Sequence, residues 1–196
     1  MEVPGSLVSG KILSIDPSVG HLGWAIHIMD ATKKKPVVNL THYGTVWVKT
    51  SGIIGASETL DAITEVIDQH NPDEIIMEDY SFIRGKTRGM YVVPGMIMLI
   101  KYMWYKKTNK QIFMVPAEEW KESIIGFSRA DKDMIKTALQ KIIKQPIVDK
   151  ITENYAKIRG KNSGDFGEQD CYDAIGQGLY MFERMILNTK NKELTL

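Results

Sequence analysis

Three apolar stretches of this chain run straight into carboxylates: KILSID ends at Asp16, EIIME ends at Glu78, and DCYD places Asp170 and Asp173 at the start of an apolar helical pattern. A buried run that ends in an acid sets a charge beside the core, where desolvation is expensive unless a cation offsets it. Four acids at element ends, drawn from three distant segments, are explained together by one site that holds divalent metal. Taken singly, each has a plainer reading. Asp16 is a turn residue before Pro17, Glu78 a strand-end acid paired with Arg84 or Arg88, and Asp170 and Asp173 first-turn helix acids.

With 196 residues, 43% of them hydrophobic, the chain is long enough to bury a sizeable core. The expectation is a single domain over 1–196 with its core at about 11–188. No apolar run approaches the roughly 18 residues of a membrane span, and the first residues lack a secretory signal. One cysteine, Cys171, excludes an internal disulfide and suits a reducing cytosol, so the expected setting is cytoplasmic, in a bacterium or a phage-infected host.

The net charge of +1 hides a division along the chain. Residues 101–161 carry 14 basic and 7 acidic side chains, whereas residues 1–100 carry 8 and 11. A basic region beside an acidic pocket is what a metal-dependent nuclease needs, one part for phosphates and the other for cations. The plainer reading is a solvated, Lys-rich helical face.

The pattern predicts a buried strand over Lys11–Asp16, a turn over Pro17–Gly20, and strands over Gly23–Ile28 and Tyr43–Val48 around the polar turn at Lys33–Pro36. Leu60, Ile63, Val66 and Ile67 make Gly55–Gln69 a helix that His70-Asn71-Pro72 stops. Glu74–Glu78, reached through a helix, is expected to lie parallel to an earlier strand. A long apolar helix over Gly89–Lys107, with Pro94 in its first turns, precedes a strand over Ile112–Val115 ended by Pro116. Helices over Ala117–Ser123 and Ala130–Ile143 follow, the second ended by Pro146. Residues 157–167 read as irregular, and Asp170–Leu187 as the last helix. This order is mixed α/β. It matches a ribonuclease H-like five-stranded sheet that begins with antiparallel hairpin strands, continues in parallel, and is flanked by helices.

Asp170 and Asp173 lie three apart and so share a helix face, beside a stripe of Ile175, Leu179, Phe182 and Ile186 and a flatter face of Ala174, Gly178, Met181 and Met185. At a helix start the dipole favours their ionised forms. Glu168 reads as a capping or solvent residue. Oxygen-only ligands point to Mg²⁺ or Mn²⁺ and away from Zn²⁺. His21, His27, His42 and His70 are scattered and read as structural or solvent-facing.

At these residues the chain resembles a family. ILSIDPSVGHLG, around Asp16, is similar to the first motif of RuvC-type Holliday junction resolvases, IIMEDY around Glu78 to their second, and DCYDA at Asp170 and Asp173 to their last. The segment from Pro116 to Lys132 looks like the part of that family that carries two active-site lysines, here Lys121 and Lys132. The resemblance runs in order from about Lys11 to Arg184. It implies a structure-selective endodeoxyribonuclease that cuts four-way or branched DNA. The four acids would hold two Mg²⁺ per site, with Mn²⁺ substituting, roughly 3.5–4 Å apart as in other two-metal sites. Hydrolysis would leave 5′-phosphate and 3′-hydroxyl ends.

Symmetrical cutting of two strands implies a homodimer, for which the Gly89–Lys107 helix is the expected interface. Expected DNA contacts are Arg84, Lys86, Arg88, Lys121, Lys132, Lys157, Arg159 and Lys161, with Tyr80 or Phe82 as the aromatic wedge. The family's wedge position itself falls on Ser81. The stretch from Pro146 to Gln169 is longer than the family's linker. Asp16 to Gly23 also resembles the phosphate loop of actin-like sugar kinases, which need a second domain and a second glycine-rich loop absent here. A related nuclease acting on RNA or on other branched substrates, and a non-catalytic junction-binding protein, stay open as alternatives.

Overall fold

Side chains along the first strand, β1 (Ser9–Asp16), alternate between two covered faces of a sheet. Ile12 enters one core, and Leu13 and Ile15 enter the other. The computed structural model describes residues 8–18, 21–79, 92–158 and 166–194. Within them, β2 (His21–Asp30), β3 (Val37–Trp47), α1 (Gly52–His70) and β4 (Glu74–Glu78) follow β1. Then come α2 (Val92–Thr108), β5 (Phe113–Val115), α3 (Ala117–Ile125), α4 (Lys132–Ile142), α5 (Gln145–Ile158) and α6 (Phe166–Leu194). The sheet order is β3-β2-β1-β4-β5. β1 and β2, and β2 and β3, pair antiparallel, whereas β4 lies parallel to both β1 and β5. This is the mixed five-stranded sheet that the sequence predicts.

Each face has its own core. α1 and α2 cover Leu13, Ile15, Leu22, Ile26, Ile75 and Met77 with Ile63, Ile67, Met96, Ile100 and Trp104. On the opposite face α6 packs across the strands, where Ile12, Ala25 and Ile76 meet Ala174, Ile175, Met181 and Met185. Of the two predicted arcs on this helix, the flatter one is the fully buried one. Ala174, Met181 and Met185 are inaccessible, while Leu179, Phe182 and Ile186 are half-buried. Small residues are what let α6 approach, because a Cβ at Gly178 would overlap the His27 ring and one at Gly176 the Trp120 ring.

Several boundaries differ from expectation, and three of them have a local reason. β3 begins at Val37, six residues before Tyr43, because Asn39, Thr41 and His42 lie on the exposed side of an edge strand and dilute its alternation. Pro146 opens α5 rather than a loop: it is the second residue of that helix, where a missing N–H removes no internal bond. α6 begins four residues before Asp170.

His27 on β2 is wholly buried, and neither ring nitrogen has a partner among the described residues. Burial pushes its imidazole down to about 4 from an ordinary 6.5. The unfolded chain therefore takes up a proton that the folded chain refuses as pH falls below 6.5. Stability should drop through that window by about 3 kcal/mol in total. Urea denaturation of His27→Leu between pH 7.5 and 4.5 should show a shallower decline than the parent protein, and an identical decline would refute this origin of acid sensitivity.

Candidate active site

Strand parity aims the first two acids. Asp16 shares the side of Ile12, and Glu78 the side of Ile76, so both point to the face that α6 covers. Ile15 pairs with Met77 in parallel register, which sets Asp16 and Glu78 next to each other at the ends of adjacent strands. At this point the sheet changes from antiparallel to parallel, and such a switch opens a crevice beyond the strand ends.

Gly23 brings in the other two. It pairs with Asp16 across β1 and β2, and a Cβ on it would overlap the Asp170 backbone carbonyl. α6 therefore lies directly on β2 at the level of Asp16, and Asp170 and Asp173 arrive at the same crevice. Electrostatics registers the convergence. Burial first, then the charges of Glu78, Asp173 and Asp170, hold the Asp16 carboxyl well above its ordinary range, against the opposing pull of Lys121. Burial likewise raises Glu78. Asp173 is pushed up to about 7 by burial and by Glu78. The expectation that the helix dipole would favour ionised aspartates is thus overturned for Asp173. It sits two turns into α6, beyond the reach of a dipole that fades within the first turn.

Three hydrogen-bond donors grip three of the acids. His21 Nδ1 lies 2.6 Å from Asp170 Oδ2, Trp120 Nε1 donates to Glu78 Oε2 at 2.9 Å, and Gln169 Nε2 donates to Asp173 Oδ1 at 2.9 Å. His21 was expected to be structural or solvent-facing; it sits at the crevice instead. No local pattern could reveal a contact between residues 149 apart in sequence. Gln169 could have been read, since it lies four before Asp173 on one helix. His27 is structural as expected, and His42 and His70 stack on each other at 4.5 Å between centroids.

Lys121 is half-buried, with its ammonium 5.6 Å from the Trp120 ring centroid, and its charge lowers Asp16, Glu78 and Asp173. Lys132 is exposed at the first position of α4. Glu118 is an exposed acid that raises Glu78, and sequence reasoning passed it over. Glu168, expected at a cap or in solvent, is buried and pairs with Lys136 at 3.0 Å. Tyr80, Phe82, Arg84, Lys86, Arg88, Arg159 and Lys161 lie outside the described residues, as does the Lys157 side chain.

As they stand, no three His, Cys, Asp or Glu side chains among the described residues form a ready-made metal cage. The donor chemistry nevertheless fits a hard cation. All the donors are carboxylate oxygens, three of their carboxyls are raised by burial ahead of any other cause, and a cation would relieve their mutual repulsion.

No protein-family model matches the chain. A crossover junction endodeoxyribonuclease RuvC from Alkaliphilus oremlandii is 27% identical over 174 residues, covering 80% of this chain and 96% of that protein. The structure of Thermus thermophilus RuvC in complex with Holliday junction substrate superposes with a TM-score of 0.60 at 14% identity, covering 90% of this chain and 97% of that one. Fowlpox virus resolvase with its substrate Holliday junction DNA gives a TM-score of 0.54 at 17% identity, over 90% and 99% of the two chains. In sequence and in fold alike, this chain is similar to the RuvC-type Holliday junction resolvases.

Proposed function

We propose that the chain is a structure-selective endodeoxyribonuclease that resolves four-way or other branched DNA junctions, working as one domain in the cytosol. The observation that carries this reading is the convergence of Asp16, Glu78, Asp170 and Asp173 beside Lys121 at the strand switch of a resolvase-like fold. No helix among the described residues is long and apolar enough to cross a membrane.

Asp16, Glu78, Asp170 and Asp173 would hold two Mg²⁺, or Mn²⁺ in substitution, which when bound activate the attacking water and offset charge on the departing 3′ oxygen. Hydrolysis by this route needs no covalent nucleophile and leaves 5′-phosphate and 3′-hydroxyl ends. Lys121, half-buried beside the acids, offsets charge on the scissile phosphate. Lys132 on its exposed helix start, together with Arg84, Lys86, Arg88, Lys157, Arg159 and Lys161, would hold flanking phosphates, with Tyr80 or Phe82 against an opened base step. Because Asp173 keeps its proton up to about pH 7, cation and proton compete for it. Calorimetry at pH 6 and pH 8 should show Mg²⁺ binding weaker at the lower pH by up to about tenfold for each unit below 7.

The dimer reading rests on α2. Its buried side presents Met96, Ile97, Ile100 and Trp104 to the core. Its other side exposes Met98, Leu99, Tyr102 and Tyr105, with Tyr102 64% exposed. Such a surface suits an isologous contact between two copies, each cutting one strand of a two-fold junction. Sedimentation velocity at micromolar concentration should show a dimer that Tyr102→Glu combined with Met98→Glu dissociates, and a parent protein that stays monomeric even with junction DNA would exclude the dimer.

The test of function is Mg²⁺-dependent cleavage of four-way, Y-shaped, flap, linear duplex and RNA–DNA hybrid substrates side by side. Four-way junctions should be cut fastest and in paired, symmetrical positions. Faster cutting of the hybrid would make the protein an RNA-directed nuclease, and binding without any cutting would make it a non-catalytic junction binder.

A further inference from the structure

Each of three acids in the crevice has one oxygen engaged by a hydrogen-bond donor from a different place in the fold. His21 comes from the first residue of β2, Trp120 from α3, and Gln169 from the turn of α6 before Asp173. Ionised carboxylates only accept, so His21 presents Nδ1–H to Asp170, and the amide and indole N–H groups do the same for Asp173 and Glu78. The amide and the indole carry no net charge, so they do not neutralise the acids as a lysine would. What they remove is rotational freedom.

The donors themselves are held. Trp120 is inaccessible, and Gly176 on α6 leaves the room its ring occupies. Gln169 is buried at 5% exposure, on the same helix as its acceptor. The His21 ring lies 6.0 Å from the Trp47 ring, at 30° between planes, on the neighbouring strand. Its acceptor is fixed independently by the docking of the Asp170 backbone against Gly23, two residues along β2.

We propose that His21, Trp120 and Gln169 are positioning residues: a shell of hydrogen-bond donors that fixes Asp170, Glu78 and Asp173 before a divalent cation binds, so that each offers its other oxygen to the metal. This rests on the metal-dependent nuclease reading. Four like-charged carboxylates left to themselves would splay apart, and assembling them would cost the cation part of its binding energy. Donors that hold the acids in place lower that cost. Outer partners of this kind are generally worth 10–100-fold in metal affinity.

The experiment titrates Mn²⁺ into the full chain by calorimetry and, separately, measures four-way junction binding in EDTA and thermal stability. His21→Ala, Trp120→Phe and Gln169→Met should each weaken Mn²⁺ binding by about tenfold or more. Junction binding in EDTA should stay within about threefold of the parent, since phosphate contacts lie elsewhere. His21→Asn, whose amide nitrogen overlays Nδ1, should restore Mn²⁺ affinity, a rescue that a purely structural histidine would not predict. His21 lies at the partly exposed edge of the site, so its two variants keep the test decisive if Trp120→Phe proves unstable. Parent-like Mn²⁺ binding in His21→Ala would overturn the shell. Asp16→Asn run in parallel separates the two readings: if it still cleaves, the nuclease site is wrong, and if it is inert while His21→Ala binds metal normally, only the shell is wrong.

Discussion

Asp16→Asn is expected to lower single-turnover cleavage of a four-way junction by about a thousandfold or more, while junction binding in EDTA changes by less than about threefold. The asymmetry follows from where Asp16 lies. Its carboxyl sits in the crevice among Glu78, Asp170 and Asp173, and the charge of Lys121 draws it down. The substitution keeps the shape and removes one negative ligand, so metal is lost but DNA-binding surface is not. The same variant should be more heat-stable than the parent when metal is chelated. A carboxyl whose folded-state pKa is raised stabilises the fold only at low pH, and that contribution disappears as pH rises through the raised value. Ionising the cluster as pH rises therefore costs the parent stability, and a neutral Asn at position 16 relieves that cost. Undiminished cleavage by Asp16→Asn would remove Asp16 from the site, and an unchanged melting temperature in EDTA would show that the acids do not repel one another.

Gly23→Ala should be the most damaging small substitution on the sheet, costing about 3 kcal/mol or more in urea denaturation. The added methyl meets the Asp170 carbonyl, which is backbone and cannot swing aside as a side chain would. To make room, the start of α6 must lift from β2, and Asp170 and Asp173 move with it. Cleavage should then fall by about a hundredfold even under conditions where the protein remains folded, because displacements near 1 Å suffice for that. Gly126→Ala is the control. Gly126 ends α3 at φ +82 with open space around it, so its penalty is local backbone strain of about 1 kcal/mol. Equal effects of the two substitutions would mean that α6 does not depend on its close approach at Gly23.

The fold was largely legible because its strands are short, apolar and punctuated. Pro116 and Gly126 bracket α3, His70 and Asn71 close α1, and the parallel placement of β4 follows from the helix before it. Legibility failed where two signals share a residue. Pro146 marks both an end and a beginning, so α5 was taken for linker, and the glycines before Asp170 hid the first turn of α6. That hidden turn had chemical consequences, since it moved Asp173 out of reach of the dipole. Of the site, the acids were visible because a carboxylate after an apolar run is locally anomalous. Their partners were not. A histidine at the start of a strand and a tryptophan in an amphipathic helix are locally ordinary, and only the docking of α6 reveals what they hold.

The crevice draws its acids from β1, β4 and α6, so its parts are made far apart in time. A nascent chain that has completed all five strands still lacks two of the four acids, and the groove that will hold them has no wall on that face. A fragment that ends before α6 therefore carries two of the four acids, Asp16 and Glu78, and leaves the core that α6 covers exposed. In the proposed nuclease α6 would complete the site, and a proteolytic cut that removed it would take Asp170 and Asp173 together.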